Sequence, residues 1–388
     1  MLRRCLWVSV CLLTAVGAFA HDDVVRQILS NNIELKSAQK SFEAEAQGVR
    51  AENNWADPEV EFSYTFDKPD DSFEISVTEG FEWPGMYAAR KRMARHQISA
   101  FEYIYKAKML EVRENALLIM ADLTDVNKRI NQLNFLIGKE RDLYKFYSSK
   151  EAEGELTIIE LNSLRLELFD AEAELKDLLI RKNVLLEDLK AMNGGVGIEV
   201  DSAFNSYNQT DLQPLQSYVD SYKANSPEYQ AAVQKRYADS QAVKVATMGA
   251  FPNFALGYKY SKEGSASNHG LIVGVSIPLF SSRHKRKAAQ RLHEASEFAV
   301  ANQELVEVAK IGAQYSSLLS LQDMIAEFRP IADNDAIYRS LDRALEAGQL
   351  SMRDYLIEMR QLKSAKMRLF DMEYNYQTAL ISISKYIL

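Results

Sequence analysis

The sequence predicts a mainly α-helical chain with a small β part, built as a tandem repeat of long coiled-coil helical hairpins with one β-hairpin in each copy. Three observations carry this. The first is a gapless repeat at an offset of 194 residues: Glu34 answers Glu228, Pro58 answers Pro252, Tyr64 answers Tyr258, Pro84 answers Pro278, Gly154 answers Gly348 and Leu156 answers Leu350. That offset lies far beyond solenoid periods of about 20–50 residues, so each half is a whole structural unit. The second is strict alternation of apolar and polar residues over two short stretches per copy, the period of a strand. The third is a sustained four-three spacing of apolar residues, the period of a coiled coil.

The 388 residues open with "MLRRCLWVSVCLLTAVGAFA". Arg3 and Arg4, an apolar run and Ala18-Phe19-Ala20 read as a secretory signal peptide over 1–20, cleaved before His21. A membrane anchor is the alternative, but the run is shorter than the about 20 residues needed to span. Val10 precedes Cys11 where a lipid-anchor motif wants a small residue, which argues against acylation. Both cysteines leave with the signal, so the mature chain is expected to hold no disulfide and no thiolate metal site. Loss of two arginines leaves 44 basic residues against 54 acidic ones, and the five His show no H-x-x-x-H spacing. An exported acidic chain of this kind has no nucleic-acid partner. No later stretch approaches 18 apolar residues, so no transmembrane helix is expected.

The first repeat spans 21–195 and the second 212–388, with a Gly-, Asn- and Ser-rich linker over 196–211. In the first copy, strands are predicted at about 58–67 and 72–83, turning at "KPDD"; Val60, Phe62, Tyr64 and Phe66 share one side. In the second they fall at about 252–261 and 269–280, with "SKEGSASNH" as the loop between. Heptads run through Val112, Ala116, Leu123, Val126, Ile130, Leu133 and Ile137, return through Leu161, Leu164, Leu168, Ala171 and Leu175, and recur at Tyr355, Leu362, Ala365, Leu369 and Met372. A helix from about Tyr87 to Ser149 would be roughly 95 Å long, against about 55 Å for its return leg over 156–192. The segment before the first strand, about 22–53, supplies the missing partner. The turns at the far ends, about 150–156 and about 346–350, fall at "EGELTIIEL" (153–161) and "AGQLSMRDY" (347–355).

Four strands cannot close a barrel, and an open edge cannot sit in lipid. Closure takes about eight strands or more, and strands of about 10 residues suit an oblique bilayer crossing. Three chains would supply twelve. Trp55, Trp83, Phe251 and Phe280 stand at the strand ends, where membrane-interface aromatics belong. A soluble β-sandwich edge or a small sheet packed on helices is the alternative.

The repeat, the "DPEVEFSY" and "FPNFALGY" strand starts, the "FEWPG" and "VSIPLF" strand ends and the Gly-x-Leu-Thr/Ser turns together resemble TolC-type outer-membrane efflux proteins, over the entire mature chain. "EGFEWPGMYAARKRMA" is most similar to the heavy-metal, CzcC-like branch. The resemblance implies a homotrimer in the bacterial outer membrane, with a 12-stranded barrel and a periplasmic α-helical tunnel. It implies docking to a periplasmic adaptor (membrane fusion protein) of an inner-membrane efflux pump, of RND type, with no cofactor and no catalysis. By position, Gly154, Leu156 and Thr157 with Gly348, Leu350 and Ser351 would form the adaptor-contact tips, though plain helix-turn chemistry explains them equally. Glu153 and Ala347 stand where the family places an apolar residue. Asp354, six residues after Gly348, falls at the family's entrance acidic ring, with Glu160 as its repeat counterpart. The ring's second acid would be Ile357, and a solvated helix face is the alternative.

Two basic clusters, "RKRMAR" at 90–95 and "RHKRK" at 283–287, follow the strand exits and suit lipid phosphates or simple solvation. Pro330 breaks the repeat at the position of Leu136, where it is expected to kink the second long helix as a hinge or a static bend. No G-x-S-x-G, P-loop or metal-ligand cluster marks an enzyme. A trimeric coiled-coil envelope spacer or adhesin without a through-pore is the competing reading. A periplasmic adaptor, the third, would need a lipoyl-like β-domain that the sequence lacks.

Overall fold

The computed structural model describes residues 22–66, 71–152, 158–198, 204, 206–207, 211–280 and 282–387. The signal segment, most of the linker, and Gly154, Leu156 and Thr157 of the first turn lie outside them. A helix over 22–31 (α1) leads into α2 (Ile33–Ala51), β1 (Glu59–Thr65), β2 (Ser72–Phe81), α3 (Pro84–Ala152) and α4 (Ile158–Met192). The second copy runs α5 (Leu215–Asn225), α6 (Pro227–Met248), β3 (Asn253–Glu263), β4 (Ala266–Ser276), α7 (Lys285–Ala332), α8 (Asp335–Glu346) and α9 (Met352–Ser384).

The segment predicted as one helix over about 22–53 is two. Asn32 interrupts it, and its side-chain oxygen accepts from the Leu35 amide at 2.9 Å, capping α2. Ser226, its counterpart at the repeat offset, interrupts the second copy in the same place and accepts from the Tyr229 amide at 3.2 Å. Pro227 follows at the first helical position, where its missing N–H costs nothing. Both breaks are N-cap chemistry written twice. α3 begins at Pro84 for the same reason, three residues before the predicted start.

The chain divides into two compact units. One holds Ser37–Lys108 and Tyr222–Val308. Its centre is a single antiparallel sheet in the order β1-β2-β3-β4, so the repeats join through β2 and β3. The strand boundaries move by about two residues in β1, β2 and β3 and most in β4. β2 stops at Phe81, short of the predicted 83, and β4 lies at 266–276 instead of 269–280. The predicted loop is a two-residue turn, Gly264-Ser265, with Gly264 at φ +55, the conformation a tight hairpin asks of its first central residue. Beyond Ser276, Pro278 has no N–H to give a ladder, which ends the strand despite Ile277 and Leu279.

The other unit takes the described residues up to Lys36 with Met109–Ser221 and Ala309–Leu388. Its core is the heptad seam. Val112, Ala116, Leu123 and Val126 of α3 are at most 2% exposed and pack with Ile28 of α1 and Leu189 of α4. Leu136 and Leu164 bury against Tyr338, Leu345, Met352 and Tyr355, tying the first repeat's helices to α8 and α9. Charge pairs cross the same boundary: Lys128 to Glu373, Arg129 to Asp371 at 2.6 Å, Lys139 to Asp342 and Lys363 to Glu174 at 2.6 Å. Most of these side chains are partly buried, so desolvation offsets much of their attraction; apolar burial holds the seam and the charges set its register.

Candidate functional site

The sheet has two unlike faces. Register places Val60, Val77, Tyr258 and Leu271 in one row across all four strands, with Phe62, Ile75, Tyr260 and His269 in the next. Leu271 is 82% exposed and Phe62 62%, so this apolar face lies open. The opposite rows read Glu61, Ser76, Lys259, Gly270 and Ser63, Glu74, Ser261, Asn268. Lys259 Nζ lies 3.0 Å from Glu74 Oε2 there, and a Cβ at Gly270 would come within 3.1 Å of the Lys259 side chain. Small residues on this side leave room for a long side chain to cross a strand. Among the described residues, β1 and β4 each keep one unpaired edge.

The four strand-end aromatics do not form one cluster. Trp83 lies past the end of β2 and stacks on Phe251 with centroids 5.1 Å apart. Trp55 packs edge-on to Phe81 at 6.3 Å and beside Tyr87 at 6.0 Å. Phe280, past β4, is 82% exposed.

In the second copy's turn, Gly348 takes φ +67, and the Gly348 and Gln349 amides donate to Leu345 O and Ala344 O at 3.1 and 2.9 Å. Those two bonds satisfy carbonyls that the end of α8 would otherwise leave bare, the Schellman closure. Ser351 then caps α9, accepting from the Asp354 amide at 3.2 Å while its hydroxyl donates to Asp354 Oδ2 at 2.7 Å. Leu350 packs at the edge of the α8–α9 core. The exposed Asp354 therefore already serves its own helix N-terminus, where a carboxylate is favoured. Glu160 holds the matching place in the first turn of α4. Gly348→Ala is expected to lower stability by about 1 kcal/mol, read as a lower thermal dissociation temperature. The added Cβ meets nothing within 4 Å, so the loss is backbone strain alone.

Pro330 does not bend a continuous rod. α7 stops two residues later at Ala332, and α8 restarts at Asp335 behind Asn334, whose side chain accepts from the Ala336 amide at 3.1 Å. A proline-weakened turn followed by a strong capping residue separates two helices where the first copy has one.

Sequence reasoning missed Glu140 of α3. One of its carboxylate oxygens is buried without a hydrogen-bond partner. Burial pushes its pKa up to about 7, with Lys363 pulling the other way. Nearby, Tyr355 donates to Asp342 at 2.9 Å, and burial with that bond raises the phenol's pKa. The only signal in the sequence was a glutamate on the heptad seam at position 140.

Among the described residues no group of three or more His, Cys, Asp or Glu is placed to hold a metal ion, and no helix is long and apolar enough to cross a membrane. Residues 218–387 match the family described as outer membrane efflux protein. No curated protein matches the chain by sequence. Its fold is similar to the Campylobacter jejuni CmeC outer membrane channel, at 16% identity over 95% of this chain and 85% of that one, with a TM-score of 0.77. It is similar to the outer membrane protein VceC from Vibrio cholerae at 14% identity, 95% of both chains and a TM-score of 0.76. For the open state of the Neisseria gonorrhoeae MtrE outer membrane channel the values are 11%, 95%, 88% and 0.65.

Proposed function

We propose that this chain, whose residues 218–387 match the outer membrane efflux protein family, is the outer-membrane channel component of an efflux system. Three copies close their sheets into a 12-stranded barrel, and their helices wall a periplasmic tunnel. The turn around Gly348, with its repeat counterpart at Gly154, meets an adaptor that recruits an energised inner-membrane pump. The duct itself is passive.

One observation supports this reading most: a four-stranded sheet with an open apolar face, a polar opposite face and two unpaired edges. Such a sheet hides its edges only by pairing with copies of itself, and closure puts the apolar face in lipid and the polar face in a lumen. The repeated seam of helical hairpins supports a tunnel wall in place of a globular core.

Purified full chain in planar lipid bilayers is expected to give discrete conductance steps with a preference for cations. Asp354→Asn is expected to lower that preference roughly twofold, since three carboxylates leave one constriction. Stable membrane insertion without any conductance would favour the spacer reading. Unchanged ion preference in Asp354→Asn would remove the acidic ring alone.

A further inference from the structure

Strand register puts all four connections between sheet and helices at one end. Glu59 pairs with Thr78, Phe81 with Phe254, and Phe254 with Val275, so β1 starts, β2 ends, β3 starts and β4 ends there. The two outgoing paths become α3 and α7. Both carry free positive charge at once. Lys91, Arg92 and Arg95 are exposed, about 10–17 Å along α3 from Pro84. Arg283 and Lys285–Lys287 are exposed at the start of α7.

None of these side chains has an ion-pair partner among the described residues, although acids are used close by. Arg90 is held by Glu82 at 2.7 Å and Arg291 by Glu294 at 2.6 Å. From Glu82 to Glu102 and from Glu263 to Glu294 the intervening chain is acid-free, over 83–101 and over 264–293, in a protein with more acidic than basic residues. The first turn of α7 holds three cations and no acid, the sign that the helix dipole disfavours. The turn before it is specified as well, since His284 holds φ +68, a strained value for a residue with a Cβ. Acids at this end are Glu52, Asp57 and Glu59 on the incoming segment, Glu79 near the end of β2 and Glu82, which is taken by Arg90; with Arg50 and Lys244 also on incoming paths, a clear positive excess remains. Trp83 stacked on Phe251, and exposed Phe280, stand between the strand ends and the charges. An aromatic layer followed by a cationic one is the profile of a membrane boundary facing phosphate groups.

We infer that segments 91–95 and 283–287 form a collar that binds the phosphate groups of anionic phospholipids in the periplasm-facing leaflet. The collar rests on the reading of the sheet as membrane-embedded. It fixes the depth of the channel and does so in a leaflet-specific way, because the opposite end of the sheet carries no equivalent cluster of exposed cations among the described residues.

The test uses the purified full chain, exposed to mixed micelles of phosphatidylglycerol and phosphatidylcholine, with retained lipid quantified on the isolated protein. The wild type is expected to retain phosphatidylglycerol about tenfold over phosphatidylcholine at low salt, with the preference fading as salt rises. Lys91→Gln/Arg92→Gln/Arg95→Gln and Lys285→Gln/Arg286→Gln/Lys287→Gln should each cut it severalfold. Equal retention of the two lipids by the wild type overturns the collar without any variant. So does an unchanged preference in both variants, or displacement of the lipid by equimolar inorganic phosphate. If the wild type inserts into vesicles yet shows equal retention, only the collar fails; if it inserts into no vesicle, the membrane reading fails with it.

Discussion

Leu271→Arg is expected to abolish the heat-resistant oligomer. Leu271 sits in the middle of five rows on the apolar face, level with Val60, Val77 and Tyr258. An arginine near a bilayer midplane costs roughly 2–4 kcal/mol, and three chains incur it together. Ser261→Arg, on the polar face in line with Glu74 and Asn268, should be tolerated, because that face meets water in the lumen. The measurement is migration of unheated against heated samples, together with membrane fractionation. A Leu271→Arg protein that assembles as well as Ser261→Arg would place the apolar face somewhere other than lipid.

Glu140 should make the helical packing depend on pH, and Glu140→Gln should remove that dependence. Its carboxyl pKa, raised from 4.5 to about 7 by burial, means the packed state holds the proton more tightly than the unpacked state. The stabilisation is therefore complete below about pH 4.5 and is lost as pH rises through 7. Groups facing it are Lys363 of α9, itself paired with Glu174 of α4, and Tyr355 of α9, whose hydroxyl donates to Asp342 of α8, which Lys139 also bridges. Allowing for the part of the group that water still reaches, the change amounts to about 2 kcal/mol between pH 5 and 8. Thermal dissociation of the wild type should fall across that range, while Glu140→Gln stays flat and matches or exceeds the wild type at pH 8. A parallel fall in both proteins would assign the pH dependence to other groups.

The helical part was readable because its signals are local and repeated. Heptad positions such as Val112, Leu123 and Leu133 are buried where the spacing put them, and α3 runs from a proline that suits a first turn. The caps at Asn32 and Ser226 were also written in the sequence, at matching places in the two copies, but a continuous apolar pattern hid them. The β4 boundary failed for a physical reason. Asn268 on the polar face and Ser267 beside the hairpin turn, opposite Lys262, are strand residues that look like loop, while Ile277 and Leu279 look like strand and flank a proline. The charge pairs between repeats, such as Lys128 with Glu373, and the buried edge of Glu140 depend on how two distant helices align side by side. One copy's periodicity carries no information about that alignment.

The central claim is that the free edge of β1 in one subunit pairs with β4 of the next. Beyond residue 20 the sequence holds no cysteine, so single pairs can be introduced cleanly. Within one chain the two edges are three strand spacings apart, about 14 Å, too far for a disulfide. Cysteines scanned over Glu61 and Ser63 on β1 against Asn268 and Gly270 on β4 should therefore yield, in membranes under oxidising conditions, a covalent ladder that stops at the trimer and collapses on reduction. Membrane-inserted protein that stays monomeric for every pair would contradict the barrel and the duct built on it.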